Sequence, residues 1–493
     1  MSFAITQSCC VDATCVSACP VNCIHPAPGE PDFGTTDMLY VDPRACIDCG
    51  ACAEVCPVDA VFPVENLVGP LREYAEVNAA YYADREAPAV LAGSPLFHAW
   101  DPVRFDRVLP ADFPRLDVAV VGSGPAAMYT VEDLLLHTTA RVTIIDRLTE
   151  AGGLVRFGVA PDHATTKRIG EHFARYHDHH RVRMRLGVEV GRDVTVEELS
   201  RRYDAVVYAV GAAESRDLGV PGDQLPGNLA STAVVGWYNG HPEIAADTVD
   251  LAGPRVVVVG TGNVALDVAR ILTADPDTLG GLAPAVLDAL RASSVREVVL
   301  LGRRGPREAA WTRGELLGLL RRDDLEVVVD DRDPRTADEI AAAAPTETAS
   351  LLRDLPRSSA APDARRRVVL RFHAAPEEIL GTDHVTGVRV SGGDEIATGT
   401  VVRAIGHRGR PVPGLPFDPA TGTVPHTEGR VEGRPGTYVV GWIKRGASGG
   451  IGANRADSAE TVASLIADGA SGVLGGGAPR NPVRRAVRRL SRR

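Results

Sequence analysis

Two segments of this 493-residue chain run from an apolar strand through a glycine turn into a helix. They are "RLDVAVVGSGPAAMYTVEDLLL", from residue 115, and "RVVVVGTGNVALDVARIL", from residue 255. Both turns, Gly122–Ala127 and Gly260–Ala265, fit G-x-G-x-x-G/A. In that pattern backbone amides and the helix N-terminus hold a pyrophosphate. A strand feeding a helix in this way needs a parallel neighbour and a covering layer, so the pair commits most of the chain to α/β architecture. The runs 203–212, 400–409 and 436–446 read as further buried strands ending in glycine.

The two turns lead to different chemistry. After the first, the strand "RVTIID" ends in Asp146, 22 residues beyond Gly124. A carboxylate there accepts hydrogen bonds from a ribose, which suits FAD or NAD. After the second, "REVVLLGRRG" ends in Arg303 and Arg304. Paired guanidiniums bind a 2′-phosphate that a carboxylate would repel, so this turn suits NADPH. The longer interval to Arg303 reflects an inserted helical segment, "ADPDTLGGLAPAVLDALRAS".

All nine cysteines fall between Cys9 and Cys56. "CIDCGACAEVCP", from Cys46, has the spacing C-x2-C-x2-C-x3-C-P, which is iron–sulfur spacing rather than that of a zinc ribbon. Overlaying it on "CCVDATCVSACP" pairs Cys46, Cys49, Cys52 and Cys56 with Cys9, Asp12, Cys15 and Cys19. The module resembles a duplicated bacterial ferredoxin whose motifs exchange fourth ligands. That resemblance implies one cluster on Cys9, Cys15 and Cys56, and a 4Fe-4S cluster on Cys46, Cys49, Cys52 and Cys19. With Asp12 in a ligand's place, cluster one is either 3Fe-4S, or 4Fe-4S with Asp12 or solvent on one iron. Cys10 and Cys23 read as spare thiols, with Cys10 an alternative to Cys9.

Charge is uneven. Residues 1–70 hold nine acids and one base, Arg44, while residues 480–493 hold seven arginines and no acid. A net charge of -11 argues against nucleic acid as the main partner. No apolar run is long enough to span a membrane and no signal peptide is evident, so the expected compartment is the cytoplasm.

The long motifs "VGSGPAAMY", "GLVRFGVAPDH", "GTGNVALDVARIL", "RRGPREAAWTRGEL" and "GWIKRGASGGIGAN" resemble ferredoxin–NADP reductases of the adrenodoxin-reductase type. With the cysteine module ahead of them, the chain is similar to the actinobacterial form with a fused ferredoxin domain. The resemblance implies two Rossmann-like domains of the glutathione/adrenodoxin-reductase type, for FAD and NADP, behind a small α+β ferredoxin-like domain. The expected division is 1–65 ferredoxin, 66–115 linker, 116–235 with 402–475 FAD-binding, 236–401 NADP-binding and 476–493 basic tail.

The resemblance also implies sites. FAD would lie on Gly122 and Gly124 and touch Ala126, Asp146, Leu154 and Val190, with Trp442 and Gly449, Gly450 and Ile451 against its ring. NADP(H) would be held by Gly260, Gly262, Asn263, Val264, Arg303, Arg304 and Glu315, with Gly449 near the nicotinamide. His163 matches a flavin-side histidine. No side-chain nucleophile is needed, so His163 and Glu315 are the candidates for proton or cofactor positioning. Ala447 and Gly450 depart from the family's usual proline and larger residue, which loosens that turn.

The expected activity is transfer from NADPH to single-electron acceptors, a ferredoxin or a cytochrome P450 system, by a monomer. An electron-input subunit like the small subunit of glutamate synthase is the alternative.

Overall fold

The computed structural model describes residues 2–30, 32–33, 35–85, 109–345, 347–357 and 366–474. The basic tail expected at 476–493, and part of the expected linker, lie outside the described residues. The chain forms two compact units. One comprises Met1–His98, Leu154–Ile169 and Glu214–His407; the other comprises Ala99–Gly153, Gly170–Ala213 and Arg408–Arg493.

The first unit opens with the cysteine module. Strand β1 (Phe3–Ile5) pairs antiparallel with β4 (Val61–Pro63), and β2 (Ile24–His25) with β3 (Tyr40–Val41). Helices α1 (Thr14–Ala18) and α2 (Ala51–Glu54) carry Cys15 and Cys52. The duplication read from the cysteines is visible in the backbone. Left-handed conformations occur at Val11, Ala13 and Asn22, and again 37 positions on at Asp48, Gly50 and Asp59. The amide of Cys23 donates to Cys19 Sγ at 3.4 Å, and that of Ala60, also 37 positions on, to Cys56 Sγ at 3.2 Å. Non-glycine residues in this region cost on the order of 1 kcal/mol or more each. The loops keep that conformation because it wraps backbone and sulfur around a common centre.

Residues 66–85 do more than connect. Helix α3 (Tyr74–Tyr81) lies against β1 and β3 through the buried Asn78. Its Oδ1 accepts from the amides of Ile5 (3.1 Å) and Val41 (2.8 Å), and its Nδ2 donates to the carbonyls of Ile5 (2.8 Å) and Tyr74 (2.7 Å). The helix therefore closes the module's polar edge.

In the second unit, β5 (Asp117–Val121), α4 (Pro125–His137) and β6 (Arg141–Asp146) form the first glycine-turn motif. The sheet runs His426–Thr427, Arg430–Val431, Thr437–Val439, Ala205–Tyr208, β5, β6, Val182–Leu186, with parallel pairing from Thr437–Val439 onward. Helix α4 packs on Ala453–Ala470, where Thr130 and Ser458 hydroxyls meet at 3.2 Å.

Back in the first unit, a short helix α5 (Ala164–Lys167) precedes a sheet built around the second motif: β7 (Arg255–Val259), α6 (Asn263–Thr273), β8 (Glu297–Leu301) and α7 (Arg313–Leu320). Its order is Asn228–Ala230, Thr400–Arg403, β7, β8, Arg366–Arg371, Leu325–Asp330, all parallel. Val256 and Val258 face one apolar core while Val257 and Val259 face another, as in a sheet covered on both sides. The inserted segment is the helix Pro284–Arg291.

One reading shifts. Residues 214–235, expected with the FAD-type half, belong to this unit because Asn228–Ala230 pairs with Val401–Arg403. Further along, the helix Pro334–Ala342 and the turn Thr348–Leu352 bury Ile340 and Leu352.

Candidate cofactor sites and iron–sulfur ligands

At the first turn, Gly122 has φ +109, and a Cβ there would lie 2.4 Å from the Ala209 carbonyl oxygen. Only glycine lets strand and turn approach so closely. Asp146 ends β6 with its carboxylate held by the Ser123 hydroxyl at 2.5 Å and the Leu148 amide at 2.9 Å. Gly124 opens α4, and Ala126 is buried at the helix start. Close by, a Cβ on Gly441 would sit 2.6 Å from Ala126 Cβ. That contact places the following Trp442 beside the same helix. The indole Nε1 donates to the carbonyls of Ser448 (3.0 Å) and Gly449 (3.2 Å), and Asn454 Nδ2 donates to those of Gly450 (3.2 Å) and Ile451 (2.9 Å). The turn that sequence reads as loosened is thus tied from both sides. Asp457, absent from the sequence reading, fastens it by accepting from the Gly441 amide (2.5 Å) and Arg445 (2.9 Å). Val190 is half-buried in a bridge to Val194, and Leu154, assigned to the other unit, is 46% exposed.

At the second turn, Gly260 has φ +131, and its Cβ would lie 2.2 Å from the Ala404 carbonyl oxygen, whereas Gly262 faces open space. Asn263 Oδ1 accepts from the Thr312 amide at 2.8 Å, and Thr312 caps α7 by accepting from the Glu315 amide at 3.3 Å. Val264 follows Asn263 in α6, half-buried. Arg303 and Arg304 are exposed just beyond β8, and their guanidiniums make no ion pair or hydrogen bond among the described residues. Arg307, close in sequence, is bound to Glu347 at 2.6 Å. Two uncommitted guanidiniums past an open glycine turn fit a dianionic phosphate.

His163 and Glu315 are brought together, and by a residue sequence reasoning missed. Arg270, on α6 and only 5% exposed, donates to Asp162 (2.8 Å), Glu315 (2.7 Å), Asp267 (2.6 Å) and His163 Nε2 (2.8 Å). A guanidinium cannot accept, so Nε2 of His163 accepts here and Nδ1 carries the proton. Burial pushes the Asp267 carboxyl up to about 6, against the pull of Arg270 and with Glu315 adding to the rise. Asp162 moves the other way: burial raises it, but Arg270 outweighs burial and holds it below the usual carboxylate range. Ligand atoms of His163, Asp267 and Glu315 lie within 4.8 Å of one another, yet Arg270 already supplies the cation among them. The only sequence signals were Asp162 beside His163 and the one-turn spacing of Asp267 and Arg270.

None of the nine cysteines is in a disulfide, and they sort into two groups. Cys9 and Cys15 each feel the charges of Cys56 and Asp12, with Cys52 a lesser influence on Cys15, whereas Cys52 feels Cys46, Cys19 and Cys49. Burial pushes Cys9 up to about 12, so a thiolate there needs a metal to displace its proton. Asp12 is buried, with its carboxylate bonded by the Thr14 hydroxyl. Cys10 neighbours Asp12, Cys9 and Cys56, and Cys23 Sγ lies 3.4 Å from Cys19 Sγ. Clustered free sulfurs with amide donors and left-handed loops fit iron–sulfur clusters.

Fold and turns place the chain among the pyridine-nucleotide oxidoreductases, with an iron–sulfur module in front. Comparison agrees: residues 116–290 match the pyridine nucleotide-disulphide oxidoreductase family, and residues 39–62 the 4Fe-4S binding domain. A probable ferredoxin/ferredoxin–NADP reductase of Mycobacterium tuberculosis is 46% identical over 488 residues, covering 95% of this chain and 84% of that protein. The NADPH:adrenodoxin oxidoreductase of Mus musculus is 38% identical over 73% of this chain and 80% of its own. The solved structure of Mycobacterium tuberculosis FprA in complex with NADPH superposes with a TM-score of 0.67 at 40% identity, covering 72% of this chain and 84% of that one. The chain belongs to the ferredoxin–NADP reductase family of the FprA and adrenodoxin-reductase type, in its form with a fused ferredoxin module. No helix among the described residues is long and apolar enough to cross a membrane.

Proposed function

We propose that the protein is an NADPH–ferredoxin oxidoreductase that delivers single electrons to a ferredoxin-type acceptor. The observation that carries this reading is the pairing of an acid-ended and a free-arginine-ended nucleotide turn with a two-loop cysteine module in one chain. When bound, FAD accepts a hydride from NADPH and iron–sulfur clusters take electrons singly, which is the conversion the reaction needs.

The chain's residues supply binding and orientation. Arg303 and Arg304 take the 2′-phosphate of NADPH, Gly260, Gly262, Asn263 and Val264 its pyrophosphate, and Glu315 the nicotinamide end. Gly122, Gly124 and Ala126 would hold the pyrophosphate of FAD and Asp146 its ribose, with Val190 also toward it. Trp442 and the Gly449–Ile451 turn would lie against the flavin ring. Arg270 fixes His163 and Glu315, and Asp267 is where a proton rests below pH of about 6.

In the module, Cys46, Cys49, Cys52 and Cys19 hold a four-iron cluster. Cys9, Cys15 and Cys56 hold a three-iron cluster, a reading supported by the engagement of Asp12 with Thr14. Purified holoprotein should reduce a ferredoxin or cytochrome c with NADPH; no turnover with intact flavin would sink the reading. A near-isotropic EPR signal from the oxidised protein is expected for three irons, and its absence would favour four.

A further inference from the structure

The two ligand loops share a backbone but not an environment. Asp12 and Cys49 occupy equivalent positions, each between two left-handed residues, yet Asp12 is 7% exposed and Cys49 is exposed. No other cysteine of the module is exposed. Beside it stand Ile47, 48% exposed, and at the end of α2 Val55, 39% exposed. Large side chains of this kind are scarce on the described surface.

The acids around them are also unusual. Of the nine acidic residues in positions 1–70, six are engaged. Asp12 binds Thr14, Glu30 binds His25, Asp32 binds Arg85, Asp37 binds Tyr40, Asp42 binds Arg44 and Asp59 binds Arg168. Asp48, Glu54 and Glu65 have no such partner among the described residues, and the first two flank the exposed apolar pair. The module is anchored to the rest of its unit elsewhere: Ser8 meets Thr165 at 2.9 Å, and Asp59, Glu73 and Tyr74 meet Arg168, Arg321 and Gly314. None of these anchors uses the Cys49 face.

We infer that Ile47, Asp48, Cys49, Glu54 and Val55 form the docking face for a one-electron acceptor protein whose contact surface is apolar at its centre and basic at its rim. This rests on the ligand assignment for the four-iron cluster given above. An apolar centre inside uncompensated charge is the usual anatomy of a specific contact, the charge steering encounter. Electron-transfer partners commonly use small, short-lived interfaces of this kind.

The test uses full-length oxidised holoprotein and immobilised cytochrome c, a basic one-electron acceptor, with binding read by surface plasmon resonance over a salt series. The double reversal Asp48→Lys with Glu54→Lys should raise Kd by about tenfold or more at low salt and flatten the salt dependence. Ile47→Ser with Val55→Ser should raise Kd about threefold to tenfold and leave the salt slope unchanged. The control reversal Asp247→Lys with Asp288→Lys, on exposed acids outside the module's sequence, should do much less.

Equal weakening by both charge reversals, or by neither, overturns the proposal. So does a dimer in sedimentation that the Asp48/Glu54 reversal dissolves, which would give the face to a second copy. Tighter binding after deletion of residues 480–493 would give it to the chain's own arginine-rich end. Each variant is first checked for an unchanged reduced EPR spectrum. If the unmodified chain lacks the four-iron signal, the ligand assignment fails on its own, before any binding is measured.

Discussion

Of the 53 basic residues 51 are arginine; of the two lysines, Lys444 is enclosed and Lys167 half-buried. Lys444 is 5% exposed and meets Asp457 at 2.6 Å; Lys167 donates to Asn239 at 2.5 Å. A compact ammonium fits where a guanidinium fork would not. The uncommitted arginines matter most for cofactor choice. Replacing Arg303 and Arg304 together by alanine should raise KM for NADPH about 100-fold or more, because each charged hydrogen bond contributes about 1.5–3 kcal/mol. KM for NADH should hardly move, and steady-state kinetics with both nucleotides checks this. Asp267 gives a pH signature. Its carboxyl stands above its ordinary value in the folded protein, so its contribution to stability is present at low pH and lost as pH rises through about 6. Asp267→Asn cannot ionise, so its melting temperature relative to the parent should climb between pH 5 and 7.5; parallel profiles would refute the shift. Asp12→Cys should convert cluster one to four irons without moving the backbone, since Cys49 likewise sits between two left-handed residues. Loss of the near-isotropic EPR signal would show it.

At the scale of elements, α3 is the clearest case of structure held by polar contacts. Asn78→Leu removes four hydrogen bonds and leaves the Ile5 and Val41 amides buried and unpaired. Each unpaired group costs about 1–3 kcal/mol. The variant should lose iron during purification while keeping flavin, as metal analysis and the visible spectrum would report. The helix escaped sequence reading for the same reason. Its inward residues Tyr74, Asn78 and Tyr82 recur every four positions, but an asparagine in the middle breaks the apolar periodicity that marks a helix. The strand Asn228–Ala230 is only 3 residues long, too short for any pattern to place it in the correct sheet.

Across the whole molecule, what sequence made legible was whatever chemistry forces into a fixed spacing. Glycine turns must follow a strand and open a helix, and cluster cysteines must follow one another at set intervals, so both could be read directly. The Arg270 hub could not. Its partners come from the Asp162–His163 loop, α6 and α7, and a helical arginine reads as a solvated charge unless the neighbours are known. The unit boundaries were blurred likewise, because a chain that leaves one sheet and returns marks the crossing with tertiary pairing rather than composition.

The repeat within the cysteine module has a final consequence. Two halves related by 37 positions would, with identical surroundings, conduct equally well in either sense. Burial breaks that equivalence: Asp12 is sheathed by protein, and Cys49 at the matching position is exposed. The module is therefore built like an insulated lead stripped at one end, with a preferred terminal that the pattern of its ligands alone does not distinguish.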